Sequence, residues 1–134
     1  MADMDTALKE CMTIEGAIGV ALVDYTSGMS LGVVGGGKDL DLTVAAAGNT
    51  DVVRAKLRTL EMLGLKEAIE DILITLDNQY HLIRLLTGRA GKGLFLYIAL
   101  NRSRAPLVGG QELRRRRVRP GRRGQRRRAD VALH

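Results

Sequence analysis

The sequence has few of the residues on which disulfide-rich or nucleic-acid-stacking domains depend. Its 134 residues include one cysteine, no tryptophan and one phenylalanine, and aromatic residues make up 3% of the chain. With Cys11 alone, no intrachain disulfide can form. Without interleaved aromatic side chains, the chain has no stacking platform for single-stranded nucleic acid. The longest nearly uncharged stretches, Gly16–Val23 and Leu94–Leu100, are too short to span a bilayer.

Residues typical of catalysis and metal binding are also scarce. His81 and His134 are the only histidines, so neither a metal site nor a Ser/His/Asp triad can be assembled. We therefore expect a protein that is not an enzyme and that has no catalytic residues, no metal and no cofactor. His81 follows Tyr80 in a predicted strand, where a half-buried structural or interface role is expected.

One glycine-rich segment resembles a phosphate-binding loop. Residues 32–39, GVVGGGKD, match the GxxxxGK pattern but place Asp39 where Ser or Thr holds Mg²⁺. A carboxylate at that position would repel the phosphates, and the chain lacks the alternating parallel βα units of such enzymes. We interpret Gly35–Gly37 as a flexible connection and Asp39 as a helix cap.

Charge divides the chain into two parts. Residues 1–101 hold 9 Lys and Arg against 13 Asp and Glu, a net charge of −4, whereas residues 102–134 hold 12 against 2, a net charge of +10. We predict one small domain over residues 1–105 and an Arg-rich, disordered tail over residues 106–134. Arg114–Arg128 would bind nucleic acid or an anionic surface nonspecifically. The alternatives are a disordered extension without a selected function and a tail produced by a shifted reading frame.

The pattern of residues 1–10 does not predict a targeting signal. Residues 1–10, MADMDTALKE, have neither a basic n-region nor an apolar h-region. We expect a cytoplasmic protein.

The first half of the chain predicts a helix, a hairpin and a second helix. Met4, Ala7, Leu8, Cys11 and Ile14 follow a helical period. Gly16–Tyr25 and Met29–Val34 are apolar and β-branched and are separated by a turn, as in a β-hairpin. A long helix should begin after Asp39 or Asp41 and end near Leu63, with a kink or break at Gly48-Asn49.

Three further strands are predicted after this helix. They are Ala68–Leu76, Tyr80–Thr87 and Leu94–Leu100, with hairpin spacing between them. The last is apolar on both faces and should be central. The predicted fold is α+β, with one five-stranded antiparallel sheet, helices packed on it and the order α-β-β-α-β-β-β.

This order, with a long helix between a hairpin and a three-stranded meander, resembles the Roadblock/dynein light-chain family and its profilin-like fold. Bacterial members are the most similar. The likeness covers about residues 1–105, in four segments: GAIGVALVDYTSGMSLGVVGGG (16–37), RTLEMLGL (58–65), EDILITLDNQYHLIRLL (70–86) and GLFLYIALNRSRA (93–105).

The resemblance implies a homodimeric scaffold or regulator that binds a small Ras-like GTPase or an associated signalling protein, such as part of a sensor-kinase system. Family members pair through the second helix and the strand after it, here Asp51–Leu63 and Glu70–Asp77. The implied dimer interface consists of Asp51, Leu57, Glu70, Ile72, Ile74 and Leu76. The implied partner surface consists of Arg54, Lys56 and Arg58, for which a solvated helix face is the alternative.

The sequence departs from the family at its end. Such proteins usually finish with an amphipathic helix after the fifth strand, but Pro106 and Gly109-Gly110 interrupt that pattern here. The pattern at the end of this sequence thus does not predict the last helix of the family. The alternative function, nonspecific binding of nucleic acid or an anionic surface, depends on the Arg-rich tail.

Overall fold

The structure is a computed structural model, which describes residues 2–88 and 91–105. Its elements confirm the order α-β-β-α-β-β-β that the sequence predicts. They are α1 (Ala2–Cys11), β1 (Ala17–Asp24), β2 (Met29–Gly35), α2 (Leu42–Met62), β3 (Asp71–Thr75), β4 (Gln79–Leu85) and β5 (Leu94–Asn101). None of the helices in these ranges has the length and apolar character needed to cross a membrane.

The five strands form one antiparallel sheet in the order β2-β1-β5-β4-β3. β5 is the middle strand, as its uniformly apolar sequence predicts, and Ile98 pairs with Val20 on one side and Leu82 on the other. Strands with apolar residues at both odd and even positions need cover on both faces. The two helices provide much of this cover, one on each face.

The face of the sheet under α2 carries Phe95 and Tyr97, whereas Tyr80 lies on the opposite face. Ala46 and Val53 of α2 are fully buried against the face under α2. Their cluster is completed by Ala21, Val23, Leu42, Ile83, Phe95, Tyr97 and Ala99. We call this side of the sheet the α2 side.

The opposite face, the α1 side, packs around Leu8 of α1. Because side chains alternate along a strand, Val20 and Leu22 face this side while Ala21 and Val23 face the other. Ala105, the last described residue, is 1% exposed and belongs to the same cluster. The described part of the chain therefore ends on the α1 side.

Specific side-chain and backbone contacts define both ends of α2. Asp41 Oδ1 accepts hydrogen bonds from the N–H groups of Thr43 (2.9 Å) and Val44 (3.3 Å), so Asp41 rather than Asp39 is the cap. At the other end Gly64 has a φ of 71° and donates to Glu61 O, while Leu65 N–H donates to Leu60 O. These two bonds form a Schellman motif, which a glycine in the left-handed region permits.

The break expected at Gly48-Asn49 does not occur, because α2 is helical from Leu42 to Met62. Asn49 Nδ2 donates to Ala45 O (2.8 Å), and the buried Thr50 hydroxyl donates to Ala46 O (2.7 Å). Both polar side chains are thus satisfied within the helix. Packing of Ala46, Thr50 and Val53 on the sheet offsets the local cost of glycine.

β3 is shorter than predicted. The register of the β3–β4 pair places residues 68–70 opposite residues 85–87, where β4 ends. Residues 68–70 therefore have no strand to pair with over most of their length. The predicted boundary at residue 105 stays a prediction, and the predicted disordered tail lies outside the described residues.

The cap of α2 yields a test of the fold. Asp41→Ala removes the acceptor of two backbone N–H groups and should lower the free energy of unfolding by about 1 kcal/mol, measured by urea denaturation. Asp39→Ala is the matched control, because Asp39 precedes the cap, and it should change this free energy by less than about 0.5 kcal/mol. Equal losses in the two variants would contradict the assignment of the cap.

Candidate self-association and partner surface

The outward face of α2, opposite the sheet, carries an exposed apolar stripe. Val44, Val52 and Met62 are 66%, 40% and 79% exposed, and Gly48 and Ala55 are also exposed. Successive residues turn by about 100° around a helix, so Val44 and Met62 point in the same direction and the other three lie within about 80° of it. We call these five residues the α2 stripe. Its small central residues allow a second helix to approach closely.

Two predicted interface residues of α2 occupy different sides of the helix. Leu57 is partly buried and packs against the core cluster of its own sheet, so it is not an outward-facing residue. Asp51 is exposed and lies beside the α2 stripe. The family resemblance placed Leu57 in the dimer interface, and the structure shows that its side chain packs on the core of its own subunit.

The three predicted partner-binding cations are all exposed, but they do not share one face. Arg54 and Arg58 are four residues apart and lie on the same flank of α2 as Asp51 and Glu61. Lys56 lies about 160° around the helix from Arg54, on the opposite flank. The structure therefore places two of these cations together and separates the third from them.

The backbone of β3 alternates between its neighbour β4 and the outer edge of the sheet. Leu76 N–H donates to Gln79 O (2.8 Å) and Leu85 N–H donates to Glu70 O (3.1 Å). Hydrogen-bonded pairs alternate along an antiparallel ladder, so Ile72 and Ile74 direct their backbone groups to β4. Leu73 and Thr75 direct theirs to the edge, where an added strand would bond.

The predicted interface side chains of β3 lie mostly on the α2 side. Ile72 packs against the same core cluster as Leu57, and Ile74, two residues further along the strand, faces the same side. Leu76, just after the strand, is 41% exposed. Glu70 is exposed and precedes the strand. The structure thus brings Leu57 and Ile72 to one cluster and leaves Glu70 and Leu76 at the two ends of β3.

His81 is half-buried on the α2 side, as predicted. Its ring meets the Tyr97 ring edge-on with 5.4 Å between centroids. In the tautomer that donates from Nε2 to Gln79 Oε1 (2.7 Å), Nδ1 accepts from the Tyr97 hydroxyl (3.3 Å). Burial lowers the pKa of His81 and raises the pKa of Tyr97 to about 12, so both side chains are neutral near pH 7. The pair is a structural contact with both polar groups satisfied.

The glycine-rich segment is a tight connection between β2 and α2. Gly35 and Gly36 both have a φ of 79°, and a Cβ on Gly36 would lie 2.9 Å from Leu40 O. α2 begins at Leu42, four residues after Lys38, whereas in a phosphate-binding loop the helix opens at the lysine. This geometry supports the interpretation as a connection.

The described residues also contain no group of three His, Cys, Asp or Glu side chains that could hold a metal ion. The feature that sequence reasoning missed is the α2 stripe. Its signal was the recurrence of small or apolar residues at positions 44, 48, 52, 55 and 62, on the face opposite the buried positions 46, 50 and 53.

No protein-family model matches the sequence, and no curated protein matches it significantly. Solved structures do match. Myxococcus xanthus MglB is 14% identical with a TM-score of 0.69, covering 84% of this chain and 80% of MglB. A Roadblock/LC7 domain from Streptomyces avermitilis is 17% identical with a TM-score of 0.64, covering 81% of this chain and 86% of that domain.

The gliding protein MglB from Thermus thermophilus is also 17% identical, with a TM-score of 0.63 and coverage of 81% of this chain and 80% of that protein. At such low identity the similarity concerns the fold. The resemblance drawn from the sequence is confirmed at this level, and the chain has the Roadblock/LC7 fold.

Proposed function

We propose that the chain is a Roadblock-family scaffold that forms homodimers and binds a small Ras-like GTPase or an associated signalling protein. The observation that carries the proposal is the α2 stripe. Scattered exposed apolar residues are normal, but several apolar residues aligned along the outward face of a long helix, interrupted here by Thr59, are typical of an interaction site. A dimer about a two-fold axis would place the stripe of one subunit against that of the other.

The outer edge of β3 supplies the second part of the proposed interface. Backbone groups of Leu73 and Thr75 point to this edge, so the same strand of a second subunit could extend the sheet across the two-fold axis. Similar folds self-associate: an MglB structure with a tetrameric arrangement is 15% identical to this chain, with a TM-score of 0.66, and covers 85% of it and 82% of that MglB. This supports self-association and leaves the number of subunits to experiment.

The GTPase part of the proposal rests on the family resemblance and on the surface charges. Arg54 and Arg58 lie on one flank of the α2 stripe, where they would border a dimer interface and stay accessible. Cations at such a rim steer an acidic partner and set the salt dependence of binding. Because Lys56 lies on the other flank, we assign partner binding to Arg54 and Arg58.

Placing a charge in the α2 stripe tests the dimer. Val52→Asp should yield a monomer, because a carboxylate without a partner is costly to bury between two helices. Val33→Asp is the matched control: Val33 is 48% exposed, similar to Val52, but lies on β2. Light scattering at low and high salt should show a dimer for the wild type and the control. A monomeric wild type would refute the proposal.

A proline in β3 tests the strand part of the interface. Leu73→Pro removes an N–H that points to the outer edge and should weaken the dimer at least about 10-fold. Leu73→Ala also loses the side chain but keeps the N–H, and it should stay dimeric. Sedimentation over a range of concentrations measures both dissociation constants. If both variants dissociate equally, β3 does not pair through its backbone.

Reversing the charges of Arg54 and Arg58, the two cations on the same flank of α2, tests partner binding. Arg54→Glu with Arg58→Glu should weaken binding of a Ras-like GTPase about 10-fold or more while leaving the dimer intact, whereas Lys56→Glu should bind like the wild type. The probes are the small Ras-like GTPases of the source genome, each loaded with GDP or a non-hydrolysable GTP analogue, in calorimetry. Wild-type protein that binds none of them would refute the GTPase assignment but not the dimer.

A further inference from the structure

Arg102 joins the end of β5 to the turn that ends β3. It follows directly after β5 and is half-buried. Its Nη1 donates to Leu76 O (2.9 Å), and its backbone N–H donates to Asn78 O (2.9 Å). Residues 76–78 connect β3 to β4, so both bonds reach across the end of β4. One residue thus ties the β3–β4 turn to the middle strand of the sheet.

An aromatic ring holds the guanidinium group of Arg102 in place. Its Cζ atom lies over the Tyr80 ring, 5.2 Å from the centroid, and Tyr80 is 2% exposed in the cluster of the α1 side. A cation over the face of such a ring is attracted by the ring quadrupole. Because the ring is fixed in the core, it restricts the direction in which Nη1 can point, and this direction is toward Leu76 O.

Both backbone groups of Leu76 are consequently bonded on the inner side of β3. Its N–H donates to Gln79 O (2.8 Å), and its carbonyl accepts from Arg102. Backbone groups alternate in direction along a strand, so this arrangement continues the inward direction of Ile72 and Ile74. It also leaves the groups of Thr75 directed to the outer edge, where the proposed second subunit would bond.

β3 needs such a support because it is short and has one neighbour. It has five residues, and in the described part of the sheet it pairs with β4 alone. Segments with few contacts open more readily than the core of a sheet. Ordering a loose edge on association costs conformational entropy, whereas an edge that is already ordered has no such cost. The contact between Arg102 and Leu76 therefore affects how tightly β3 can pair.

We propose that Arg102 is a positioning residue for self-association, because it holds the carboxyl end of β3 in the conformation that pairs with β3 of a second subunit. The inference rests on the proposed homodimer and adds a residue that belongs to neither α2 nor β3. A two-fold axis would place two such contacts in each dimer, one at each end of the paired strands. Loss of the guanidinium should then weaken the dimer without changing a residue of its interface.

Replacing Arg102 by methionine tests the proposal in the full-length chain. Arg102→Met keeps a long side chain beside Tyr80 and the backbone bond to Asn78, but it removes the donor to Leu76 O. It should raise the dissociation constant of the dimer at least about 10-fold, measured by sedimentation over a range of concentrations. Arg104→Met is the matched control, because Arg104 is exposed in the same turn, and it should change this constant less than about 2-fold.

Amide hydrogen exchange measures the same contact without the dimer. In the Val52→Asp background, designed to be monomeric, Arg102→Met should speed exchange of the Leu76 amide at least about 10-fold. The physical reason is that opening of the β3–β4 turn no longer breaks a bond to the guanidinium. The Gly28 amide, which donates to Asp24 O (2.7 Å) in the β1–β2 turn, is the control and should exchange at an unchanged rate.

The two measurements separate failure of this role from failure of the homodimer. A dimeric wild type whose dissociation constant is unchanged in Arg102→Met would overturn the positioning role and leave the homodimer intact. A loss of monomer stability alone does not move this constant, because it describes an equilibrium between folded subunits. Equal exchange of the Leu76 amide with and without the guanidinium would overturn the contact itself. A monomeric wild type would refute the homodimer and, with it, the role of Arg102 in pairing.

Discussion

The architecture depends on one constraint, the need to cover a sheet whose middle strands are apolar on both faces. Val20 and Ala21, consecutive on β1, are both fully buried and point to opposite sides. One layer of cover would leave half of these side chains in water, at a cost of about 1.5–3 kcal/mol for each large aliphatic group. The chain meets this constraint with α2 on one face and α1 on the other, and both core clusters follow from that division.

The same constraint gives α2 its two distinct faces. Ala46 and Thr50 must face the sheet, and their burial keeps the helix continuous through a Gly-Asn pair that favours interruption in isolation. Because those positions face the sheet, the α2 stripe on the opposite side of the helix, from Val44 to Met62, is exposed to solvent. A helix that is apolar on two opposite sides leaves one apolar side in water, which lowers the solubility of the monomer. A second subunit that covered this side would remove that cost.

The sequence predicts the elements better than it predicts the surface. Periodicity predicts the strands because the alternation of apolar residues is a local property of the sequence. Asp41 could be predicted as one of two candidate caps because capping depends on adjacent residues. The assignment of Leu57 to a dimer interface stays a prediction, and the structure shows its side chain partly buried against the core cluster of its own sheet. The direction in which α2 faces could not be predicted, because it depends on the strands beneath the helix. Helix geometry alone predicts that Lys56 and Arg54 lie on opposite flanks of α2.

The proposed scaffold role also limits how such a protein can affect a GTPase. An arginine that enters a nucleotide site in trans needs to project from the surface to reach the phosphates. Arg54 and Arg58 belong instead to a regular helix, between acidic residues at positions 51 and 61 that share their flank. Such cations suit attraction and orientation of a partner more than insertion into its nucleotide site. Any change in GTP hydrolysis would then arise from conformational selection within the GTPase, whose own residues perform the chemistry.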